Sequence, residues 1–374
     1  MLALILLILA VVYAAGILFF ALGASLARFP YNRAARLRVS VIIAARNEEQ
    51  NIRRCLDAVT RLRYPRELLE VIVVNDRSTD ATADIVREYA ARCPFLKLFN
   101  ARPGTGQLHG KANALSQGIA VAAGDIIMMT DADCAVPPGW VDETVKYYTD
   151  DSVGIVPGFT AIRATKLFEA IQTIDWFALF SVAAGANRLG FPVTAVGNNL
   201  SVRKAAYDLV GGYEGIPFSI TEDYALFHAV TATTSYKARF PLDPETLVES
   251  EACPTWRDLY LQRKRWFTGG RDMNLQSIAM FAAAWLLHAG IVAGLAFAAG
   301  PLIWIAAGLK VTVDLVLCLP SFFTFRKWEL LPAFPVYELY YFLYVLIFPI
   351  IVLSGRTVVW KERSFSDGKM QQPS

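Results

Sequence analysis

Ile126-Ile127-Met128-Met129-Thr130-Asp131-Ala132-Asp133 decides the reading of this chain. A short apolar run that ends abruptly in acids predicts a strand buried on both faces, as in a parallel sheet. Its acids then fall at the carboxyl end, the edge where open α/β sheets take their ligands. Upstream, Val71-Ile72-Val73-Val74-Asn75-Asp76 repeats the pattern. Downstream, Thr221-Glu222-Asp223-Tyr224 supplies a third acidic signal, followed by Gln262-Arg263-Lys264-Arg265-Trp266. Carboxylates at strand ends can hold a divalent cation and supply a base. That combination suits the transfer of a group away from a diphosphate.

Working outward, strand and helix alternate. Val39–Ala45, Leu69–Val74, Leu96–Phe99 and Ile126–Thr130 read as strands. Between them Glu48–Thr60, with Ile52, Leu56 and Val59 on one face, Ala81–Ala91 and Ala112–Ala122 read as helices. The alternation predicts a mostly parallel sheet with helices on both faces. No internal repeat is evident, and Arg102–Gly110 reads as a mobile loop beside the site.

The chain has 374 residues, 55% of them apolar, and its mean hydropathy of +0.38 is high for a wholly soluble protein. A net charge of +3 gives no argument for nucleic acid. The five cysteines are scattered, odd in number and free of C-x-x-C pairs, which predicts reduced, unpaired thiols. The three histidines, His109, His228 and His288, lack metal-ligand spacing.

Residues 2–27 carry no charge before Arg28, and a membrane helix needs roughly 20 apolar residues. A cleaved signal peptide would have a basic leading region; here the positive charge follows the run. We therefore expect an anchor over 1–27 with Arg28, Arg33, Arg36 and Arg38 on the cytosolic side. Three more apolar runs, 278–299, 301–323 and 333–353, predict C-terminal membrane segments, and Lys310 and Asp314 can pair at i,i+4 spacing inside the second. Pro335 and Pro349 should delimit or kink the last run. Four spans leave the C-terminus outside, whereas Arg356, Lys361 and Arg363 favour the inside, so one C-terminal segment is expected to be interfacial or re-entrant. Trp256–Trp266 can also lie along a membrane surface. The expected organisation is an anchor over 1–27, a cytosolic α/β domain over 36–275, membrane segments over 276–355 and a polar tail over 356–374.

Asp76 can serve as a turn or cap residue, with Ser78, Thr79 and Asp80, or hydrogen-bond a base or ribose. In Asp131-Ala132-Asp133, alternate residues of an extended segment point the same way, so both acids can address one Mg²⁺ or Mn²⁺ while the small Ala132 keeps the backbone close. Lys111 can add a positive contact to a diphosphate. Asp223 is the candidate general base, with adjacent Glu222 the rival for that role or a site organiser. Gln262 and Arg265 share a helix face, and Trp266 offers a stacking surface; alone, such residues also read as a membrane-interface belt. Gly197-Asn198-Asn199 is either a turn or part of a sugar pocket.

These stretches together resemble the membrane-bound family 2 glycosyltransferases of GT-A fold. The resemblance runs from Val39 to Trp266. It rests on Val41-Ile42-Ile43-Ala44-Ala45-Arg46-Asn47-Glu48-Glu49, Asp76, Gly110-Lys111, Asp131-Ala132-Asp133, Thr221-Glu222-Asp223 and Gln262-x-x-Arg265-Trp266. Trp360-Lys361-Glu362-Arg363 also looks like the family's C-terminal segment, with Glu362 where a glycine is frequent. It implies a Rossmann-like, mostly parallel catalytic domain with N- and C-terminal transmembrane helices. The implied reaction is inverting transfer of a sugar from a nucleotide donor, a UDP-sugar first among them, with Mg²⁺ or Mn²⁺.

By the same resemblance Ala45, Asn47, Glu48 and Asp76 face the nucleotide, and Asp131 and Ala132 the nucleotide-sugar. Asp133 holds the metal with Asp131, and Asp223 is the base. Lys111, Gln262, Arg265 and Trp266 contact the donor, while Glu222, Asn198 and Trp266 face the acceptor. Ala44-Ala45-Arg46-Asn47 replaces a more usual proline-containing turn. The pattern further looks like the ceramide glucosyltransferase branch. This implies a lipid acceptor at the cytosolic face of the plasma or inner membrane. A processive polysaccharide synthase of poly-N-acetylglucosamine type and a non-catalytic scaffold of the same fold are the alternatives.

Overall fold

A computed structural model describes residues 2–27, 29, 36–104, 108–269, 275–297, 300–354, 357–360, 363–366 and 369–371. Arg28, Arg33, Arg271, Arg356, Lys361, Glu362 and the middle of the Arg102–Gly110 loop lie outside them.

In chain order the elements are α1 (Leu2–Ser25), β1 (Val39–Ala45), α2 (Ile52–Thr60), β2 (Leu69–Asn75), α3 (Thr82–Arg92), β3 (Leu96–Asn100), α4 (Gly110–Ala120), β4 (Ile126–Asp131), β5 (Cys134–Ala135) and α5 (Trp140–Val145). Then come β6 (Val153–Pro157), β7 (Thr160–Ile162), α6 (Leu167–Arg188), β8 (Leu200–Arg203), α7 (Lys204–Leu209), α8 (Gly212–Gly215), α9 (Glu222–Thr233), β9 (Lys237–Ala238) and β10 (Val248–Ser250). The chain continues through α10 (Trp256–Gly269), α11 (Leu275–Phe297), α12 (Pro301–Phe325), α13 (Phe334–Ser354), β11 (Thr357–Trp360), β12 (Arg363–Ser366) and β13 (Lys369–Gln371).

Two compact units divide the chain: Ala27–Arg163 with Thr194–Glu251, and Met1–Leu26 with Ala164–Val193 and Ala252–Ser374. The contiguous 36–275 domain of the sequence reading is thus crossed by 164–193, because those residues form a long apolar helix rather than part of the sheet layer.

The first unit is built on a seven-stranded sheet of order β3-β2-β1-β4-β8-β6-β9. β3, β2, β1 and β4 are parallel, and β8 runs antiparallel to both β4 and β6. The mostly parallel α/β architecture expected from the alternation is therefore the one observed. The strands are apolar on both faces because both are covered: Val41, Ile42, Ile43, Val71, Val73, Val74, Ile127 and Met128 are fully buried. Each such side chain contributes about 1.5–3 kcal/mol of hydrophobic stabilisation. Strand order reverses beside β1, which has β2 on one side and β4 on the other. That reversal opens a crevice at the carboxyl edge. A smaller sheet, β5-β10-β7, lies within the same unit.

Helix starts shift from the sequence reading. α2 begins at Ile52, not Glu48, because backbone N–H groups before it are used between loops: Asn47 donates to Ser78 Oγ at 3.1 Å, Glu48 to Thr82 Oγ1 at 2.8 Å and Glu49 to Asp80 Oδ2 at 3.1 Å. α3 begins at Thr82, whose N–H and hydroxyl both donate to Asp80 Oδ1, at 3.0 and 2.5 Å.

In the second unit, five helices among the described residues are long and apolar enough to cross a membrane: Ala3–Ser25, Leu167–Arg188, Ile278–Phe297, Pro301–Phe325 and Trp328–Ile347. The second of these was not foreseen. α1 and α6 meet backbone to backbone: a Cβ on Gly23 would come within 2.5 Å of Gly185 O, and one on Gly185 within 2.1 Å of Phe20 O. Small residues permit such close approach between helices in lipid. The Lys310–Asp314 pair exists at 2.9 Å and is part of a larger buried network: Lys310 also pairs with Glu338, and Tyr13 donates to Asp314 Oδ1 at 2.7 Å. Pro335 falls in the first turn of α13, where a missing N–H costs nothing, and Pro349 lies inside the helix. The expected polar tail contains the short strands β11, β12 and β13, paired antiparallel.

Candidate active site

Register places the first two acidic signals at one edge. Ala45 of β1 is level with Asn75, so Asp76 is the next residue out, and Ala44 is level with Asp131 of β4. Two strand spacings, about 10 Å, separate β2 from β4. Asp76 is buried, its N–H donates to Ala45 O at 2.8 Å, and Arg77 pairs with its Oδ1 at 3.3 Å. Asn47 and Arg77 both adopt left-handed backbone, with φ of 51° and 56°. That conformation is uncommon outside glycine, and these two turns hold it through side-chain bonds such as Thr79 N–H to Asn47 Oδ1 at 2.9 Å. The Asn47 amide oxygen is thus engaged within the turns.

Asp131-Ala132-Asp133 is not one extended segment. Asp131 ends β4, and Ala132 and Asp133 turn toward β5. The strand-alternation argument for aligning the two acids is therefore wrong, although both carboxylates still share surroundings. Burial pushes the thiols of Cys55 and Cys134 up, and the charges of Asp133 and Asp131 push both further.

Lys111, at the start of α4, is the counter-charge of the acids. Its Nζ lies 2.6 Å from Asp131 Oδ1 and 3.2 Å from Glu222 Oε1. Burial would lower its pKa, but Asp131, Glu222 and Asp223 outweigh that and hold it well above the usual value. This ammonium links the second acidic signal to the third. A lysine read as a direct diphosphate contact is here already paired with two carboxylates.

Asp223 sits in the first turn of α9. Its Oδ2 accepts from Gly197 N–H at 2.7 Å and its Oδ1 from Tyr224 N–H at 2.8 Å. Glycine at 197 permits the approach, since a Cβ there would lie 3.0 Å from Asp223 Cβ. Burial first, and the adjacent Glu222 second, push the Asp223 carboxyl up to about 6, against the pull of Lys111 and the two N–H donors. Glu222 is buried and engaged by Lys111, whereas Asp223 is only partly buried. The geometry therefore separates the two neighbours: Glu222 is engaged by the ammonium, Asp223 by two backbone N–H groups.

Asn198 does not line a surface. It is buried, its side-chain oxygen accepts from Thr160 Oγ1 at 3.0 Å, and its backbone oxygen accepts from Thr130 Oγ1 at 2.9 Å. Gly197–Asn199 folds as a tight helical turn, and its bond from Thr130 ties it to β4.

Gln262, Arg265 and Trp266 lie on α10 in the second unit. Sequence reasoning missed the residue that contacts two of them. Buried Arg263 donates to Gln262 Oε1 at 2.9 Å, lies 4.2 Å over the Trp266 ring and pairs with Asp175 of α6. Trp266 also packs edge-on against Trp176, with centroids 5.4 Å apart. Much of its stacking surface is thus spent within the protein. The available signal was Asp175 itself, an acid flanked by Ile174 and Trp176 in a mostly apolar stretch.

The acids suit a cation that takes few protein ligands. Among the described residues no three His, Cys, Asp or Glu side chains come together as a full cage. Asp131 Oδ1 is buried without an aligned hydrogen bond, despite the nearby ammonium. Carboxylate oxygens in so sparse a set fit Mg²⁺ or Mn²⁺, which complete their shell with water and phosphate oxygens. All five cysteines are free, as expected.

The fold with its acids at the reversal of strand order has clear relatives. Residues 40–209 match the model of glycosyl transferase family 2, and residues 126–354 match that of glycosyl transferase family group 2. The chain belongs to the family 2 glycosyltransferases. It is 32% identical over 253 residues to the probable glycosyltransferase YdaM of Bacillus subtilis, covering 65% of this chain and 58% of that protein. It is 30% identical over 247 residues to the beta-monoglucosyldiacylglycerol synthase of Synechocystis sp., covering 64% and 49%. Identity to the poly-beta-1,6-N-acetyl-D-glucosamine synthase of Staphylococcus epidermidis is 28% over 251 residues, covering 64% and 56%. The matches thus span about half of each of these relatives. Among solved structures, the mannosyltransferase PcManGT of Pyrobaculum calidifontis, in complex with GDP-Man and Mn²⁺, superposes with a TM-score of 0.57 at 23% identity, over 91% of this chain and 99% of that one. That likeness establishes the GT-A fold.

Proposed function

We propose that this protein transfers a sugar, with inversion, from a UDP-sugar to the hydroxyl of a membrane lipid at the cytosolic face. The observation that carries the reading is Asp223, held by two backbone N–H groups with its carboxyl pushed up to about 6, in one charge network with Lys111, Glu222 and Asp131. Near neutral pH such a group is mostly ionised yet basic enough to take a proton from an alcohol as the new bond forms.

In this reading Asp76 orients the nucleotide base. Asp133, with Asp131, would hold Mg²⁺ or Mn²⁺, which when bound stabilises negative charge on the departing diphosphate. Asp223 accepts the acceptor's hydroxyl proton while the acceptor oxygen bonds to the sugar's anomeric carbon. The bond from that carbon to the diphosphate oxygen breaks, and the nucleoside diphosphate leaves with the electron pair. One displacement without a covalent intermediate inverts the anomeric centre. Roles for Gln262, Arg265 and Trp266 at the diphosphate and acceptor rest on the motif resemblance.

A lipid acceptor is supported by the membrane-compatible helices and by a diacylglycerol glycoside named in one relative. The poly-N-acetylglucosamine synthases support a processive alternative. Membranes containing the protein, incubated with UDP-Glc, UDP-Gal, UDP-GlcNAc or GDP-mannose and total lipid extract, test both. A single new lipid-soluble spot is expected; a polymer smear selects the alternative, and no donor turnover with any sugar overturns the enzymatic reading.

A further inference from the structure

Two adjacent residues at the start of α2 reach the backbone of the acidic turn. Cys55 Sγ lies 3.6 Å from Asp131 O, and Arg54 Nη1 donates to Asp133 O at 3.0 Å. The other arm of the Arg54 guanidinium donates to Glu249 O at 3.2 Å and pairs with Glu249 Oε1 at 2.7 Å, and Nη1 also lies 3.1 Å from Glu251 Oε1. Glu251 is held in turn by Arg163 at 3.3 Å. β10, which carries Glu249, pairs antiparallel with β5, so Ser250 is level with Cys134, the residue after Asp133. Arg54 therefore fastens the Asp133 turn to the small sheet.

This clamp has more than a surface ion pair's worth of geometry. A planar guanidinium satisfies two backbone carbonyls and two carboxylates at fixed angles, which an ammonium cannot reproduce. The Arg54 side chain is only 25% exposed, so these bonds are partly shielded from water. Asp133 sits in a turn rather than a strand, with Cys134 Sγ 3.4 Å from its Oδ1, so the placement of the turn decides where the carboxylate stands. Small divalent cations tolerate little error in ligand position.

We infer that Arg54 is a positioning residue for the cation: by holding the Asp133 carbonyl against Glu249 it fixes where the Asp133 carboxylate stands. The inference rests on the proposed role of Asp133. Partners that orient metal ligands typically change metal affinity 10–100-fold when removed.

The test uses the full chain in nanodiscs with UDP, measuring Mn²⁺ binding from the electron paramagnetic resonance signal of the free ion, and melting without metal. Arg54→Met should raise the apparent Kd for Mn²⁺ about tenfold or more. Its metal-free melting temperature should stay within a few degrees of wild type, and transfer should largely recover at saturating Mn²⁺. Arg54→Lys should fall between the two. Arg61→Met, also on the α2 side but away from the turn, should bind Mn²⁺ like wild type. If Arg54→Met does not fold, Glu249→Gln gives the same reading with a smaller shift. Wild-type Mn²⁺ affinity in Arg54→Met, alongside lost binding in Asp133→Ala, overturns the role of Arg54 alone. Unaltered binding in Asp133→Ala overturns the metal reading and this inference with it.

Discussion

Replacing Asp223 by asparagine separates chemistry from stability. The carboxyl rises from 3.8 to about 6, roughly two pH units, so at neutral pH its ionised form costs the folded state up to about 3 kcal/mol. The sign follows from linkage. A raised carboxyl binds its proton more readily when folded, so this cost is full above pH 6, fades as pH falls from 6 to 4 and is absent below about 4. Asparagine removes the charge but presents an amide nitrogen to one of the two N–H donors, Gly197 or Tyr224, losing a hydrogen bond worth about 1–3 kcal/mol. The two effects nearly cancel at pH 8. As pH drops toward 4 wild type gains on the variant.

Transfer behaves differently. Removing a general base typically costs 10²–10⁴-fold. In wild type, kcat/KM should fall about tenfold per pH unit below 6. Glu222→Gln removes a charge that raises Asp223, so the acid limb should move to lower pH. The assay is UDP release and lipid product formation in nanodiscs from pH 4.5 to 8.5, with melting curves on the same samples. Retention of more than a tenth of wild-type transfer by Asp223→Asn, or an acid limb that ignores Glu222→Gln, would refute the assignment of the base.

Two further outcomes concern the second unit. Lys310→Met strands Asp314 and Glu338 inside the helix bundle, and breaking a buried pair in this way costs about 3–5 kcal/mol; thermal unfolding in detergent should show it, and an unchanged midpoint would remove the network from the stability argument. Gly185→Leu places a side chain where even a Cβ would meet Phe20 O at 2.1 Å, so folded yield by size-exclusion chromatography should collapse, while Gly16→Leu, with open space around its position, should be tolerated.

The sheet was legible because parallel strands covered on both faces leave long apolar runs such as Val71–Val74, which end in polar residues at the carboxyl edge. Asp76 and Asp131 could be placed at one edge for the same reason. The orientation of Asp133 was not legible, since a turn after a strand breaks the two-residue period on which the alternation argument depends. Lys111 looked like a ligand contact because its partners lie on other elements, Asp131 at a strand end and Glu222 on α9. α6 escaped notice as a long apolar helix because Glu169, Gln172 and Asp175 dilute it to a mean hydropathy of 1.3. Only the fold shows Asp175 spending its charge on Arg263.

The bond from Tyr13 to Asp314 spans 301 positions of the chain, and it changes what the first helix is. A leader that merely moored the protein could be trimmed away for expression. Here its hydroxyl satisfies the second oxygen of an acid whose first is paired with Lys310. Deleting residues 1–26 in search of a water-soluble fragment should therefore leave α12 with an exposed polar wound and yield aggregate, however well the sheet folds.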